Sequence, residues 1–304
     1  MRALLALCLF CLGTGSFFQT KAQSQDVSGI VTANEAFLVA PTETTRAALI
    51  DALSQYSGDP SVESVNAYIT LLYHDGAGDR SEDLYESASA ATAHMAPAAD
   101  IIPKPYLEAR FLAAIAQFNI HPAAAAMIEM AHVEGRARAF ETQLGERPDW
   151  ARTLEWKADA WGMAMDAYFE SAREDHPDKA EIETILGNYG ADTASRNARA
   201  ARSLDARGLP FCAGRMIRRP AMKYPSGRGN RGRFGSIILE LDLDAEGKVI
   251  NPRVRASVPE GVFDEKTLSV VGKWKFKPDD RRAVGISCRL ERTNLVQPLT
   301  FALD

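Results

Sequence analysis

At Gly235 the spacing of apolar residues changes from the three-to-four-residue repeat of a helix to strict alternation, and this switch divides the chain. Ile237, Leu239, Leu241 and Leu243 alternate with Ile238, Glu240, Asp242 and Asp244, the pattern of a half-buried strand. Upstream, Ala47, Ala48, Ile50, Leu53 and Tyr56 have helical spacing, and Val65, Ile69 and Leu72 repeat it after Gly58-Asp59-Pro60-Ser61. Further helices are expected over Leu84 to Met95, Pro105 to Phe118, Pro122 to Leu144, Trp150 to Ala172 and Lys179 to Tyr189. Pro122 and Pro177 lie near helix starts, where the missing N–H costs little. Trp156, Ala160, Met163, Ala167 and Glu170 fall on one side of the helix expected over Trp150 to Ala172. Helix pairs recur without a clean repeated motif, so the expectation is a helical bundle or an irregular α-solenoid.

After the alternating run, Asp244-Ala245-Glu246-Gly247 reads as a turn in which Gly247 is free to take positive φ. Lys248 to Val258 then gives the second strand of a hairpin, with Pro252 requiring a sheet edge or a bulge. Phe263, Thr267, Val270, Val271 and Trp274 mark an amphipathic helix from Phe263 to Lys275, stopped by Pro278. A last strand region follows over Ile286 to Leu303, with Pro298 expected to interrupt any continuous ladder. The fold class is α+β and multidomain: an all-α region, then a small β-β-α-β domain with an antiparallel sheet.

The order Tyr224-Pro225, Gly235, Gly247, Ser257, Phe263-Asp264, Leu268, Trp274-Lys275-Phe276, Pro278 and Phe301 resembles the TonB C-terminal domain family. The resemblance covers about Arg219 to the end and none of residues 1–208. It implies function by contact: such domains link an inner-membrane motor to outer-membrane receptors, capturing a receptor segment as an extra strand beside the last β-strand. On that basis the docking edge is Ile286, Cys288, Leu290, Leu299, Phe301 and Leu303, and the partner an envelope protein such as an outer-membrane TonB-dependent receptor. The chain departs from the energy-transducer pattern in lacking a long Pro-rich spacer rich in Glu and Lys.

The N-terminus indicates export. Arg2, the apolar stretch Ala3 to Phe18 and a cleavage site after Ala22 have the layout of a signal peptide. The stretch is short for a membrane span, which needs roughly 20 residues. The expected organisation is therefore a signal at 1–22, a loosely ordered lead-in at 23–42, a helical domain at 43–207, a linker at 208–218 and the TonB-like domain at 219–304. A periplasmic location follows, with no transmembrane span after cleavage; an uncut N-terminus would instead place an anchored, TonB-type transducer in the inner membrane.

Of four cysteines, Cys8 and Cys11 fall in the signal, leaving Cys212 and Cys288 as a disulfide pair or two buried thiols. The tail from Leu209 has 18 Lys and Arg against 11 Asp and Glu, while the first 208 residues have 17 against 29. The basic run Gly227 to Arg233 lacks phosphate-loop spacing and reads as a solvated loop, so nucleic acid is not an expected partner. The histidines, at positions 74, 94, 121, 132 and 176, show no metal-ligand spacing, and no nucleophile motif occurs. No cofactor, metal or catalytic residue is assigned. An enzyme with its site in the helical region is the remaining alternative.

Overall fold

A computed structural model describes residues 26–77, 80–142, 145–172, 177–184, 187, 214–218, 220, 235–278 and 290–301. The chain divides into two compact units, Met1–Gly58 and Asp59–Asp304. In the first, α1 (Ser28–Val39) packs on α2 (Glu43–Gln55). Residues 28–39 are therefore helical, where a loose lead-in was expected; Ile30 and Phe37, one face of α1 two turns apart, are both buried. At the start of α2, Thr42 and Thr45 exchange side-chain and backbone hydrogen bonds, a capping box that satisfies two otherwise unpaired N–H groups.

The second unit starts with α3 (Val62–Ala77), α4 (Ser81–Met95), α5 (Pro103–Ile120), α6 (Ala124–Ala139) and α7 (Asp149–Ala172). Each helix packs on the next, and α5 also touches α3 and α7. Ser61 and Ser64 cap α3 reciprocally, and the buried Ser64 hydroxyl lies 2.8 Å from His94 Nε2 on α4. Burial pushes the His94 pKa down, since desolvation disfavours the charged ring. The core between α5, α6 and α7 contains Leu107, Phe111, Met127, Met130, Leu154, Met165 and Phe169. Alanines between these large residues allow the helices close approach. Arg110 on α5 pairs with Glu129 on α6, and Arg138 on α6 pairs with Glu134 and with Glu155 of α7.

The helical region is followed by a small antiparallel β region with one helix, α8 (Asp264–Val271). Strands β2 (Gly235–Leu243), β3 (Val249–Val258) and β5 (Arg292–Phe301) form a sheet in the order β3-β2-β5; β1 (Gly214–Arg218) and β4 (Lys275–Pro278) form a separate ladder. Two details differ from the sequence reading. Lys275 to Pro278 is a strand rather than the end of the helix: α8 stops at Val271, and Phe276 N–H bonds the Gly247 carbonyl at 2.7 Å. β5 also runs through Pro298 without a break, with Pro298 opposite Ile238.

The turn between β2 and β3 forms as expected. Asp244 Oδ1 accepts from the N–H groups of Glu246 and Lys248, and Gly247 has φ +73°. A Cβ at Gly247 would lie 2.3 Å from the Phe276 carbonyl oxygen, so the position excludes side chains twice over. Pro252 lies in β3, an edge strand whose pairing with β2 is interrupted by register shifts.

Candidate docking site

Strand β2 is buried along its whole length. On one face Ile237, Leu239, Leu241 and Leu243 pack with Phe263, Val271, Trp274 and Phe276. Trp274 is fully buried, as expected for a core anchor. The other face, expected to meet solvent, is covered by α7: Ile238 and Val258 pack against Ala160 and Ala164, with Trp156, Trp161, Met163 and Ala256 around them. Ser236 Oγ donates to the Ala160 carbonyl, which places the helix backbone one short side chain above the sheet. Arg255 of β3 lies over the Trp156 ring, 5.1 Å from its centroid. α7 touches β3, β2 and β5.

Buried carboxylates on this face have partners. Glu240 accepts from Arg253 and Arg255, each at 2.6 Å. Asp242 accepts from the Asn294 N–H at 2.9 Å, from Asn251 at 3.2 Å and from Arg253 at 3.4 Å. Burial pushes the Glu240 carboxyl upward, but hydrogen bonds from Arg255 and Arg253 together bring it below the ordinary range. The Asn294 N–H is the main cause of the lowered Asp242 pKa, opposed by desolvation and assisted by Asn251 and Arg253. Arg253 also donates to Asn294 Oδ1 at 3.2 Å. Asn294 has φ +57°, and the β2–β5 register shifts between Leu241 and Leu243. Asp242, Arg253 and Asn294 thus clamp the first residues of β5 in register with β2.

At its other end β5 is held by the core. Phe301 stacks on Phe263 with ring centroids 4.2 Å apart, and Gly235 lies opposite Phe301. A Cβ at Gly235 would lie 2.2 Å from the Phe263 ring and 2.5 Å from the Val258 carbonyl oxygen. Only glycine fits between ring and strand.

Among the described residues, no strand pairs with the outer edge of β5. Val296 is an exposed apolar residue on that strand. Leu299 is buried and Phe301 half-buried, so their side chains belong to the core while their backbone lies on the edge strand. Leu290 is buried ahead of β5, near the position a Gly247 Cβ would occupy. Ile286, Cys288, Leu303 and Cys212 lie outside the described residues, as does the signal segment. The Asp242–Arg253–Asn294 clamp carried no sequence signal, because an acidic residue in an alternating strand reads as solvent-facing. Among the described residues no three His, Cys, Asp or Glu side chains are arranged to hold a metal ion, and no helix is long and apolar enough to cross a membrane.

A helix-backed antiparallel sheet with edge strands that no described strand fully covers is an architecture open to strand addition. The family described as Gram-negative bacterial TonB protein C-terminal matches residues 220–293. Protein TonB of Vibrio cholerae serotype O1 (strain ATCC 39315 / El Tor Inaba N16961) is 28% identical over 82 residues, 27% of this chain and 32% of that protein. The chain thus spans about a third of the length of the curated relative it matches. Residues 220–293 are a TonB C-terminal domain, distantly similar to TonB and non-catalytic. The match stops at Thr293, so most of β5 lies beyond it and is placed by the structure.

Proposed function

We propose that the chain is an exported periplasmic binding protein whose TonB-like domain docks a segment of an outer-membrane receptor as an added strand along β5. The outer edge of β5, which no strand among the described residues covers, is the observation that carries this reading. Backbone N–H and C=O groups on such an edge supply affinity, and alternate side chains supply selectivity. The TonB C-terminal domain at residues 220–293 supports a receptor partner and a place in energy transduction. The whole chain is read as a binding protein, with the helical region as scaffold and without catalysis of its own.

The test is a photo-crosslinking residue placed at Val296 in the full chain, with one at exposed Tyr73 as control, expressed in cells. Crosslinks at Val296 to an outer-membrane TonB-dependent receptor, absent at Tyr73, are expected. Identical crosslinking from both positions refutes docking at β5. A second reading, a tethered transducer, follows from the apolar stretch Ala3 to Phe18 if it stays uncut. Mass analysis of the mature N-terminus separates them: a start at Gln23 supports the released protein, and an intact Met1 the anchored one.

A further inference from the structure

We infer that Pro298 keeps the outer edge of β5 from pairing with a second copy of this chain, and so reserves that edge for a strand of different sequence. The inference rests on docking at β5 and adds what the edge rejects. An exposed edge strand is a template for any extended segment, its own copy included, and natural edges are blunted by charge, by bulges or by proline. From Asn294 to Phe301 β5 carries no charged residue. Val296, Pro298 and Thr300 are all exposed. An uncharged run of strand-forming residues self-associates readily unless a proline interrupts it. β3, the other edge strand of this sheet, also carries a proline, Pro252, beside Asn251 at φ +48°.

The direction of the Pro298 nitrogen follows from the ladder. Just beyond β2, the Asp244 N–H donates to the Lys248 carbonyl, so there an even-numbered residue bonds toward β3. In an antiparallel ladder that direction alternates residue by residue. Both register shifts along β2 place the extra residue on the neighbouring strand: Glu240 to Asp242 lies opposite Arg253 to Ile250, and Leu241 to Leu243 opposite Leu295 to Arg292. The alternation in β2 thus carries back to Ile238, whose backbone groups bond toward β3. Pro298, opposite Ile238, has its nitrogen on the outer side, where the missing N–H costs the β2–β5 ladder nothing. Val296 and Thr300, opposite Glu240 and Ser236, face outward in the same way. The rim therefore presents a donor and an acceptor at Val296 and at Thr300, and an acceptor alone at Pro298.

A second copy and a foreign strand meet this rim unequally. Two β5 edges paired antiparallel about Pro298 set the prolines against each other, so neither central bond forms and two carbonyl oxygens face one another. Sliding one copy by two residues sets each proline against Val296 or Thr300 and again forfeits two bonds. A foreign strand with an N–H opposite Pro298 forfeits one. A hydrogen bond of ordinary net worth shifts an equilibrium roughly fivefold, so the defect counts about that much more heavily against the copy.

The experiment compares the full chain with Pro298→Val and Pro298→Thr by sedimentation equilibrium, with a melting curve for each. Both substitutions restore the outward N–H on a strand-favouring residue. Association through any other surface is common to parent and variants. The variants are expected to dimerise about tenfold more tightly or better than the parent. A photo-crosslinking residue at position 296 is expected to join two copies of each variant, and Thr300→Pro added to Pro298→Val to return association to the parent's level. Dimerisation within about twofold of the parent, tighter association without that crosslink, or loss of folding in both variants overturns the role of Pro298. With receptor crosslinks at position 296 of the parent and unchanged variants, docking at β5 stands and this inference falls. Dimerising variants of a chain that never crosslinks to a receptor support rejection of the copy and refute the docking.

Discussion

The contact around Gly235 gives a sharp mutational test. In Gly235→Ala the new methyl would lie 2.2 Å from the Phe263 ring and 2.5 Å from the Val258 carbonyl oxygen. Carbon atoms in ordinary contact lie about 3.5–4.0 Å apart. The ring has no direction in which to yield: Phe263 is fully buried and stacks on Phe301. The carbonyl belongs to Val258, which pairs with Ser236 in the β2–β3 ladder. Relief requires either an off-rotamer Phe263 or separation of β2 from β3 at its end. Overpacking of this kind costs about 1–3 kcal/mol, and the backbone contact places it at the upper end. For a unit the size of Asp59–Asp304 each kcal/mol moves the melting temperature by about 2–4 °C, so a fall of roughly 5–10 °C is expected. Thermal unfolding followed by near-ultraviolet circular dichroism measures it. A second substitution, Phe263→Leu, removes the ring edge, so the pair is expected to cost less than the sum of the singles. A melting temperature within about 1 °C of the parent, for a domain with this overlap, refutes the reasoning.

Trp274→Ala removes the largest fully buried side chain and should cost about 3–5 kcal/mol, read from urea denaturation; an unchanged midpoint rules out its anchoring role. Glu240 and Asp242 both have lowered folded-state pKa values, so their stabilisation is complete above the unfolded carboxylate range and is lost as pH falls through the folded values. The urea midpoint should thus hold from neutral pH to about pH 5 and decline below about pH 4, with a shallower acid limb in Asp242→Asn, which keeps an acceptor for the Asn294 N–H; equal limbs refute the clamp's part in it. A disulfide between Cys212 and Cys288 would stabilise by roughly 4 kcal/mol in the chain-entropy model. Non-reducing mass spectrometry of the exported protein is expected to find that bridge, and two free thiols end the idea.

Most of the architecture was legible because the elements have strong periods. Leu53 in α2, Leu72 in α3 and Leu239 in β2 are buried as their spacing requires, and Asp244 to Gly247 turns as its residue types require. The misreadings share a cause, which is partners distant in sequence. Lys275, Phe276 and Lys277 are too few to show a strand period, and they extend because β1 pairs with them. Glu240 and Asp242 made the second face of β2 look wet, although arginines and an asparagine N–H compensate their burial. The cover itself was half visible, since Trp156, Ala160, Met163 and Ala167 fall on one side of α7. Nothing in their spacing shows that a sheet lies beneath them. The docking edge was assigned through family resemblance alone, and Leu299 and Phe301 within it are core side chains on an edge backbone.

Because α7 lies on the sheet, the tail is a poor cassette. Transplanted into a fusion protein without residues 149–172, it would bring Ile238, Ala256 and Val258 into water, along with a Ser236 hydroxyl no longer bound to the Ala160 carbonyl. At about 25 cal/mol per Å² that greasy patch favours stickiness over solubility. A working graft would carry α7 along, or exchange Ile238 and Val258 for threonine or lysine and accept a looser hold on β5.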